Sequence, residues 1–106
     1  KYYSQICFHF QQAAEKYLKA FIVAYDLEFE KIHNLIALVK ICGKRDASLL
    51  SLMEQCEMLN TAYIDTRYPV HWPTNYSKEK AQKMQDAAGK IAQTVKEILE
   101  KGGVKF

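Results

Sequence analysis

Apolar residues recur every three or four positions along most of the chain, which is the period of an α-helix. Four segments carry this pattern, at about residues 2–25, 33–42, 47–66 and 77–101. Glycine and proline are scarce, with four and two residues, and are placed mainly between these segments. No stretch alternates apolar and polar residues as a strand would. The sequence therefore predicts an all-α fold, an antiparallel up-down bundle of four main helices.

The first segment is apolar over most of its circumference, so we expect it to lie at the centre of the bundle. Its polar positions form a narrow line along the helix, which we call the polar seam: Gln5, His9, Gln12, Lys16 and Lys19. The apolar stripe comprises Tyr3, Cys7, Phe10, Ala14, Tyr17, Phe21 and Ala24, widened by Ile6, Ala13, Leu18, Ala20 and Ile22.

The second and third segments each have one buried face and a residue that ends the helix. Gly43 suits a left-handed C-cap for the second. Pro69 ends the third, because a proline disfavours helical geometry in the residue before it. Arg67 follows the spacing of Asn60 and Tyr63, so we expect it near the end of the apolar stripe. The predicted core positions here are Leu35, Leu38, Val39, Cys42, Leu49, Leu52, Met53, Cys56, Leu59 and Tyr63.

The fourth segment has the cleanest amphipathic pattern. Ser77 is a good N-cap, and Gly102-Gly103 ends the helix. Residues 68–76, which contain Trp72 and Pro73, form a predicted loop. The predicted core positions of the fourth helix are Ala81, Met84, Ala88, Ile91, Val95 and Ile98.

Length and composition narrow the class of protein. The 106 residues suffice for one domain, which we expect to cover 1–106, and a content of 49% hydrophobic and 25% charged residues is ordinary for a globular chain. No apolar run approaches the roughly 20 residues that span a bilayer, and no secretory signal is present. The chain lacks an initial Met and begins inside a predicted helix, so we expect a fragment or a missing start.

Cysteine and histidine positions argue against metal and disulfide chemistry. The chain has an odd number of cysteines, namely Cys7, Cys42 and Cys56. They form no C-x-x-C motif and fall at apolar helical positions. We interpret them as buried thiols of a reducing, cytoplasmic compartment. The three histidines have no metal-ligand spacing and no glycine-rich phosphate loop occurs, so we predict neither a metal site nor a cofactor. A net charge of +3 permits binding of nucleotides or RNA without requiring it.

Three ordered pieces of sequence resemble the HEPN family of domains. Residues 7–20, Cys-Phe-His-Phe-Gln-Gln-Ala-Ala-Glu-Lys-Tyr-Leu-Lys-Ala, resemble the family's signature helix. His33-Asn34-Leu35 resembles the opening of its next helix, and residues 63–69 resemble its Y-x-x-x-R-Y-P motif. The resemblance covers nearly the whole chain. Relatives usually carry another helix before the signature helix, so an apolar face of the first segment is expected to lack its cover here.

The resemblance implies a compact helical bundle that forms homodimers and associates with a separate minimal nucleotidyltransferase, often as a toxin–antitoxin pair. The family name records a proposed nucleotide-binding role. Many relatives are metal-independent ribonucleases that use an Arg and a His separated by four to six residues. In this chain three residues, including Pro69, lie between Arg67 and His71.

Arg67 and His71 are the candidate catalytic pair. The Arg67 guanidinium can hold a phosphate or stabilise a phosphorane, and the alternative is a structural ion pair. His71 can act as general acid or base, and the alternative is a loop histidine beside Trp72. Tyr68 and the aromatic residues near it in sequence can stack on a base or fill the end of the bundle.

Further candidates for nucleotide or phosphate binding lie upstream. His33 stands at a helix start, where it can bind a phosphate or cap the helix. In the polar seam, Lys16 can bind a phosphate and Gln12 can read a base edge, with His9 beside them. The alternative is that Glu15 and Lys19 form an i,i+4 salt bridge while Lys16 is solvated.

Three hypotheses of function follow. The first is a nucleotide-binding and dimerisation module that works with a nucleotidyltransferase. The second is a metal-independent endoribonuclease that uses Arg67 and His71. The third is a purely structural dimerisation domain in which Arg67 braces helices.

Overall fold

The computed structural model describes residues 2–28, 34–67 and 77–103, with side chains throughout except at positions 2, 4 and 62–67. These ranges contain no β-strand, and the predicted all-α class with four main helices is confirmed. Helices α1 (Tyr2–Ala24), α2 (Leu35–Arg45), α3 (Met53–Arg67) and α4 (Lys78–Lys101) form a bundle. A 3-10 segment, Ala47–Leu52, leads into α3.

The helices do not alternate in direction as they would in a simple up-down bundle. Arg45, at the end of α2, lies over the ring of Tyr25, which follows the end of α1, at 4.3 Å. The Tyr25 hydroxyl also lies against Gly102, which follows α4. At the other end, Lys80 of α4 is close enough to Cys7 of α1 to affect its thiol. Helices α1, α2 and α4 therefore run in one direction.

Helix α3 runs against the other three. Its Asn60 binds the start of α2, while its Cys56 lies near Cys42, further along α2. Helix α2 can run in the same direction as α1 because residues 25–34 connect the end of α1 to the start of α2. That length of chain can extend well beyond the ~16 Å of α2. The hydrophobic period determines which face of a helix is buried but not the direction in which the helix runs.

The core lies between the four helices and is almost entirely aliphatic, with Phe21 as its one fully buried aromatic ring among the described residues. Helix α1 packs against each of the other helices. The predicted apolar faces of α2, of the 3-10 segment and of α4 are buried. The fully buried side chains, beyond Phe21, include Leu18, Ile22, Leu35, Leu38, Leu49, Leu52, Leu59, Met84 and Ile91.

The exposed face of α1 is wider than the sequence predicts. Ala13, Ala20 and Ala24 were expected in the buried stripe, but all three are exposed. Val23 is exposed over 70% of its surface. Three neighbouring helices cannot surround α1 completely, and exposing a methyl group costs little free energy, so the alanines lie on the open side.

Helix α1 ends in a Schellman turn. The N–H of Leu27 donates to the carbonyl of Ile22 at 2.9 Å, and the N–H of Asp26 donates to that of Val23 at 3.1 Å. Asp26 occupies the left-handed position with φ of 52°. Glycine is usual there, and aspartate is one of the few side chains that tolerate this backbone.

Helix α2 continues past the position where the sequence predicts its end. Gly43 does not form a left-handed cap, so that prediction is wrong: it is a buried residue inside α2. Its lack of a side chain lets the following 3-10 segment approach, because a Cβ at this position would lie 2.5 Å from Leu50 Cδ2. The α2 helix ends at Arg45, and the N–H of Asp46 donates to the carbonyl of Cys42.

Helix α4 begins and ends as predicted. The Ser77 hydroxyl accepts a hydrogen bond from the N–H of Lys80 at 3.0 Å. Gly102 caps the C-terminus, and Gly103 has φ of 88°, a conformation that suits glycine. None of the helices within residues 2–28, 34–67 and 77–103 is both long and apolar enough to cross a bilayer.

The three cysteines are buried, as predicted, and carry free thiols. Burial, together with a smaller effect of Cys56, raises the pKa of Cys42 to about 12. Burial, with a smaller effect of Glu57, likewise raises the pKa of Cys56 to about 12. Burial raises the pKa of Cys7 despite the opposing charge of Lys80. All three positions therefore favour the unreactive thiol over the thiolate.

Asp46 joins α2 to the 3-10 segment and gives the first testable prediction. Its Oδ1 accepts from the Ser48 hydroxyl at 2.6 Å and from the Ser48 N–H at 3.0 Å, and these bonds lower the pKa of Asp46. A depressed carboxyl pKa stabilises the fold above the unfolded-state pKa near 4, and this contribution is lost as pH falls through the folded-state value. We expect Asp46→Ala to lower the free energy of unfolding by about 1 kcal/mol at pH 7.

Asp46→Asn is the matched control, because asparagine caps equally well but carries no charge. In urea unfolding followed by circular dichroism, any stability advantage of the wild type over Asp46→Asn should shrink as pH falls below about 4. A constant difference between the two proteins down to pH 2 would contradict the role of the Asp46 charge.

Candidate functional site

A chain of hydrogen-bonded polar side chains runs along α1, and we call it the α1 polar ladder: Gln12, Gln11, Glu15 and Lys19. Gln12 Nε2 donates to Gln11 Oε1 at 2.6 Å, and Gln11 Nε2 donates to Glu15 Oε1 at 3.4 Å. Lys19 Nζ binds Glu15 Oε2 at 2.8 Å. Gln11 is fully buried and Glu15 is only 5% exposed. The ladder therefore extends from the buried face of α1 to its surface.

The ladder explains how α1 carries polar groups into the core. A buried carboxylate without partners would cost several kcal/mol, so it must be paired and hydrogen-bonded. Lys19, whose side chain is 29% exposed, forms an ion pair with Glu15 at the edge of the core. The predicted Glu15–Lys19 salt bridge is confirmed. Because Lys19 is held by this bond, it is less suited to hold a ligand than Lys16.

The structure describes three of the predicted binding residues in full, all on α1. His9 and Lys16 are exposed, and Gln12 is half-buried. The His9 ring lies 6.4 Å from that of Phe8, centroid to centroid, in a tilted arrangement. Positions 9, 12 and 16 share one side of the helix, over about 10 Å of its length. His9 and Lys16 thus offer one imidazole and one ammonium group to solvent on either side of the Gln12 amide.

Two asparagines hold the start of α2 against α3. Asn34 caps α2, with its Oδ1 accepting from the N–H groups of Ile36 at 2.9 Å and Ala37 at 3.4 Å. Asn60 Oδ1 accepts from the N–H of Leu35 at 3.0 Å, and its Nδ2 donates to Asn34 Oδ1 at 3.1 Å. Three N–H groups at the start of α2 are satisfied in this way. Asn34 and Asn60, which we call the asparagine clamp, fix this helix end to the middle of α3.

The remaining predicted site residues stand as follows. Arg67 is the last residue of α3, as the sequence predicts, and its side chain is outside the description. His33, Tyr68 and His71 lie outside the described residues. No geometry joins these four side chains to the polar seam, and their roles stay predictions. Within the described ranges, no group of three or more His, Cys, Asp or Glu side chains could hold a metal ion.

Sequence reasoning missed the importance of Gln11, Asn34 and Asn60 as polar anchors. Gln11 had a readable signal, because it lies one turn before Glu15 on a helix that is otherwise apolar on that side. Asn34 also had one, since asparagine before an apolar helical run is a favoured N-cap. The partnership of Asn34 with Asn60 joins residues 26 positions apart and left no local signal.

The α1 polar ladder gives the second testable prediction. Lys19→Met keeps most of the apolar stem but removes the cation from the buried Glu15. We expect a loss of about 1–3 kcal/mol in the free energy of unfolding, measured by urea denaturation at pH 7. Lys16→Met is the matched control one turn earlier, and it should change stability by less than about 0.5 kcal/mol because Lys16 is exposed. Equal stability of the two variants would show that the ion pair contributes nothing.

Comparison with known proteins identifies the family. The family model of the HEPN domain matches residues 1–98, nearly the whole chain. No curated protein and no solved structure gave a significant match to the chain. The match spans the α1 polar ladder, the asparagine clamp and all but the last turn of α4. The chain belongs to the HEPN domain family.

Proposed function

We propose that this HEPN domain binds the phosphates of a nucleotide or of RNA near the end of the bundle where α1 begins. Arg67 is the principal phosphate ligand, with His9, Gln12 and Lys16 along α1 as further contacts and His33 and Tyr68 as neighbours. The family assignment carries this proposal, because the HEPN domain is a module of the nucleotide-binding or ribonuclease type.

The directions of the helices support a shared site for Arg67 and the first half of α1. Cys42 Sγ donates to the carbonyl of Leu18 at 3.5 Å and lies near Cys56, so Cys56 and Leu18 are at a similar height. Eleven further residues of α3 rise about 16 Å, and the same distance back along α1 leads to about Cys7.

The same estimate ranks the contacts on α1. His9 is then about 3 Å from the height of Arg67, Gln12 about 7 Å and Lys16 about 13 Å. Their heights along the bundle therefore allow a single phosphate to bridge Arg67 and His9 or Gln12. Only a longer ligand, such as a triphosphate or an oligonucleotide, spans the distance to Lys16.

We propose further that the second half of the exposed face of α1 binds another protein molecule. This face presents the small side chains of Ala13 and Ala20 and the 70%-exposed Val23 around the exposed Lys16, and exposed apolar side chains of this kind favour association. The occupant is a second copy of the chain in a homodimer, and in the full system a minimal nucleotidyltransferase. This pairing extends the toxin–antitoxin arrangement common among HEPN domains to this chain.

Ligand binding is the third testable prediction. In thermal and urea unfolding, ATP, GTP or a short single-stranded RNA should stabilise the protein, by about 2.7 kcal/mol when the probe is present at 100 times its Kd. Arg67→Ala should raise the Kd about tenfold or more, because a charge-assisted hydrogen bond to phosphate is lost. Lys96→Ala, which changes an exposed lysine near the opposite end of α4, should leave the Kd unchanged at high salt.

The same samples separate binding from catalysis and from a purely structural role. Cleavage of the RNA in EDTA that is lost in both Arg67→Ala and His71→Ala would assign a metal-independent ribonuclease in place of a binding module. If no probe changes the unfolding transition and the RNA stays intact, a packing and dimerisation domain remains.

Association through α1 is the fourth testable prediction. Light scattering after size-exclusion chromatography should show a dimer for the wild type. Ala20→Glu should shift it towards monomer, because a carboxylate is then buried in an apolar interface. Ala47→Glu is the matched control, since Ala47 is also exposed but lies in the 3-10 segment. A dimer that persists in Ala20→Glu would exclude this face as the interface.

A further inference from the structure

A groove of about 250 Å³ lies between α3 and α4. None of its lining residues belongs to α1, α2 or the predicted phosphate site, so the groove is independent of the proposed function. The lining residues are Gln55, Met58, Lys83, Asp86, Ala87 and Lys90.

Gln55, which lines this groove, has an unused hydrogen-bond acceptor. Its Oε1 is buried and has no hydrogen-bond partner within the described part of the chain. An unsatisfied buried acceptor is unfavourable, so a donor that reaches Oε1 would gain free energy. Turning the amide toward the groove breaks no hydrogen bond of Oε1. A rotation of the Gln55 side chain that brings Oε1 to the groove would therefore let it accept a donor from outside the chain.

The size and openness of the groove indicate what fills it. Its volume lies below the range of roughly 300–1,000 Å³ typical of pockets for cofactors and drug-sized ligands. Four of its six lining residues are exposed, so a free small molecule would keep much of its surface in water. Met58, which is 37% exposed, and the buried Ala87 provide an apolar surface. This geometry fits one large side chain presented by a protein.

The charges at the rim indicate the sequence around that side chain. Lys83 and Lys90 are two turns apart on α4, about 10 Å, and both are exposed. Asp86, between them, accepts a hydrogen bond from Gln82 Nε2 at 3.2 Å. The two ammonium groups favour carboxylates on either side of the inserted residue.

We propose that this groove binds a tyrosine side chain within an acidic segment of a partner protein. The ring packs on Met58 and Ala87, where a thioether makes favourable contacts with an aromatic ring. The tyrosine O–H, at the tip of the ring, donates to Gln55 Oε1. Neighbouring aspartates or glutamates of the partner lie near Lys83 and Lys90. Tyrosine is among the residues enriched as anchors in protein interfaces, because it combines apolar area with one polar group.

The experiment is a titration of the isotope-labelled protein with two short acidic peptides, followed by nuclear magnetic resonance. The peptides differ only in a central tyrosine or phenylalanine. The tyrosine peptide should shift the backbone amide signals of residues 55–58 and 83–90 and bind roughly three- to tenfold more tightly than the phenylalanine peptide. Gln55→Met should abolish that preference while keeping the apolar contact. Gln5→Met, the same change at an exposed position of α1, should leave it intact.

Two further results decide the outcome. Lys83→Glu combined with Lys90→Glu should weaken both peptides equally, because the two peptides carry the same carboxylates. Equal binding of tyrosine and phenylalanine peptides would overturn the assigned hydrogen bond. Signal changes outside the groove, or none at millimolar peptide, would overturn the site. So would signals at residues 55–58 and 83–90 that already change on dilution of the free protein, because a second copy then occupies the groove.

Discussion

Helix α1 has to pack against all three other helices, and the rest of the structure depends on this constraint. Most of its circumference is therefore committed to apolar contacts, with Leu18, Phe21 and Ile22 fully buried. Polar side chains of α1 are therefore confined to a strip on its exposed side and to positions where they can hydrogen-bond to one another. The α1 polar ladder lies at the boundary between these regions, and it allows a carboxylate to remain almost fully buried in a mostly aliphatic core.

The ladder and the asparagine clamp solve the same physical problem in different places. Each supplies partners to polar groups that the packed helices shield from water, Glu15 in one case and the N–H of the buried Leu35 in the other. Asn60 ties the first residue of α2 to α3 two turns before Arg67. The start of α2 and the last half of α3 are therefore fixed relative to each other. A candidate site built from residues near several helix ends requires such fixed starting points.

The sequence was sufficient for the helices and most of the core, because helical periodicity is a local signal. Ser77 and Gly102 could be read as helix ends since each satisfies nearby backbone groups. The role of Gly43 could not be read, because the sequence does not distinguish a glycine that ends a helix from one that makes room for a neighbouring segment. Its reason, the approach of Leu50, is tertiary. The exposure of Ala13 and Ala20 escaped prediction because alanine costs little in either environment.

The polar contacts likewise divide into those that a local sequence pattern predicts and those that depend on tertiary packing. The Glu15–Lys19 pair was predictable from i,i+4 spacing on one helix. The asparagine clamp was not, and neither was the unsatisfied Gln55 in the separate groove between α3 and α4, since each depends on which helices become neighbours and how they are oriented. The direction of α1 relative to α4 is another such property. It is a property of the packed bundle, and no pattern within a single helix encodes it.

That shared direction also shapes the electric field of the molecule. Peptide dipoles add along each helix and leave partial positive charge at its N-terminus. With α1 and α4 starting at the same end and only α3 finishing there, the backbone alone gives this end a net positive potential. At the opposite end the dipoles are offset by cationic side chains in the last turns, Lys44 and Arg45 of α2 and Lys101 of α4. The main chain thus gives the bundle a dipole whose positive pole lies at the end where α3 finishes with Arg67.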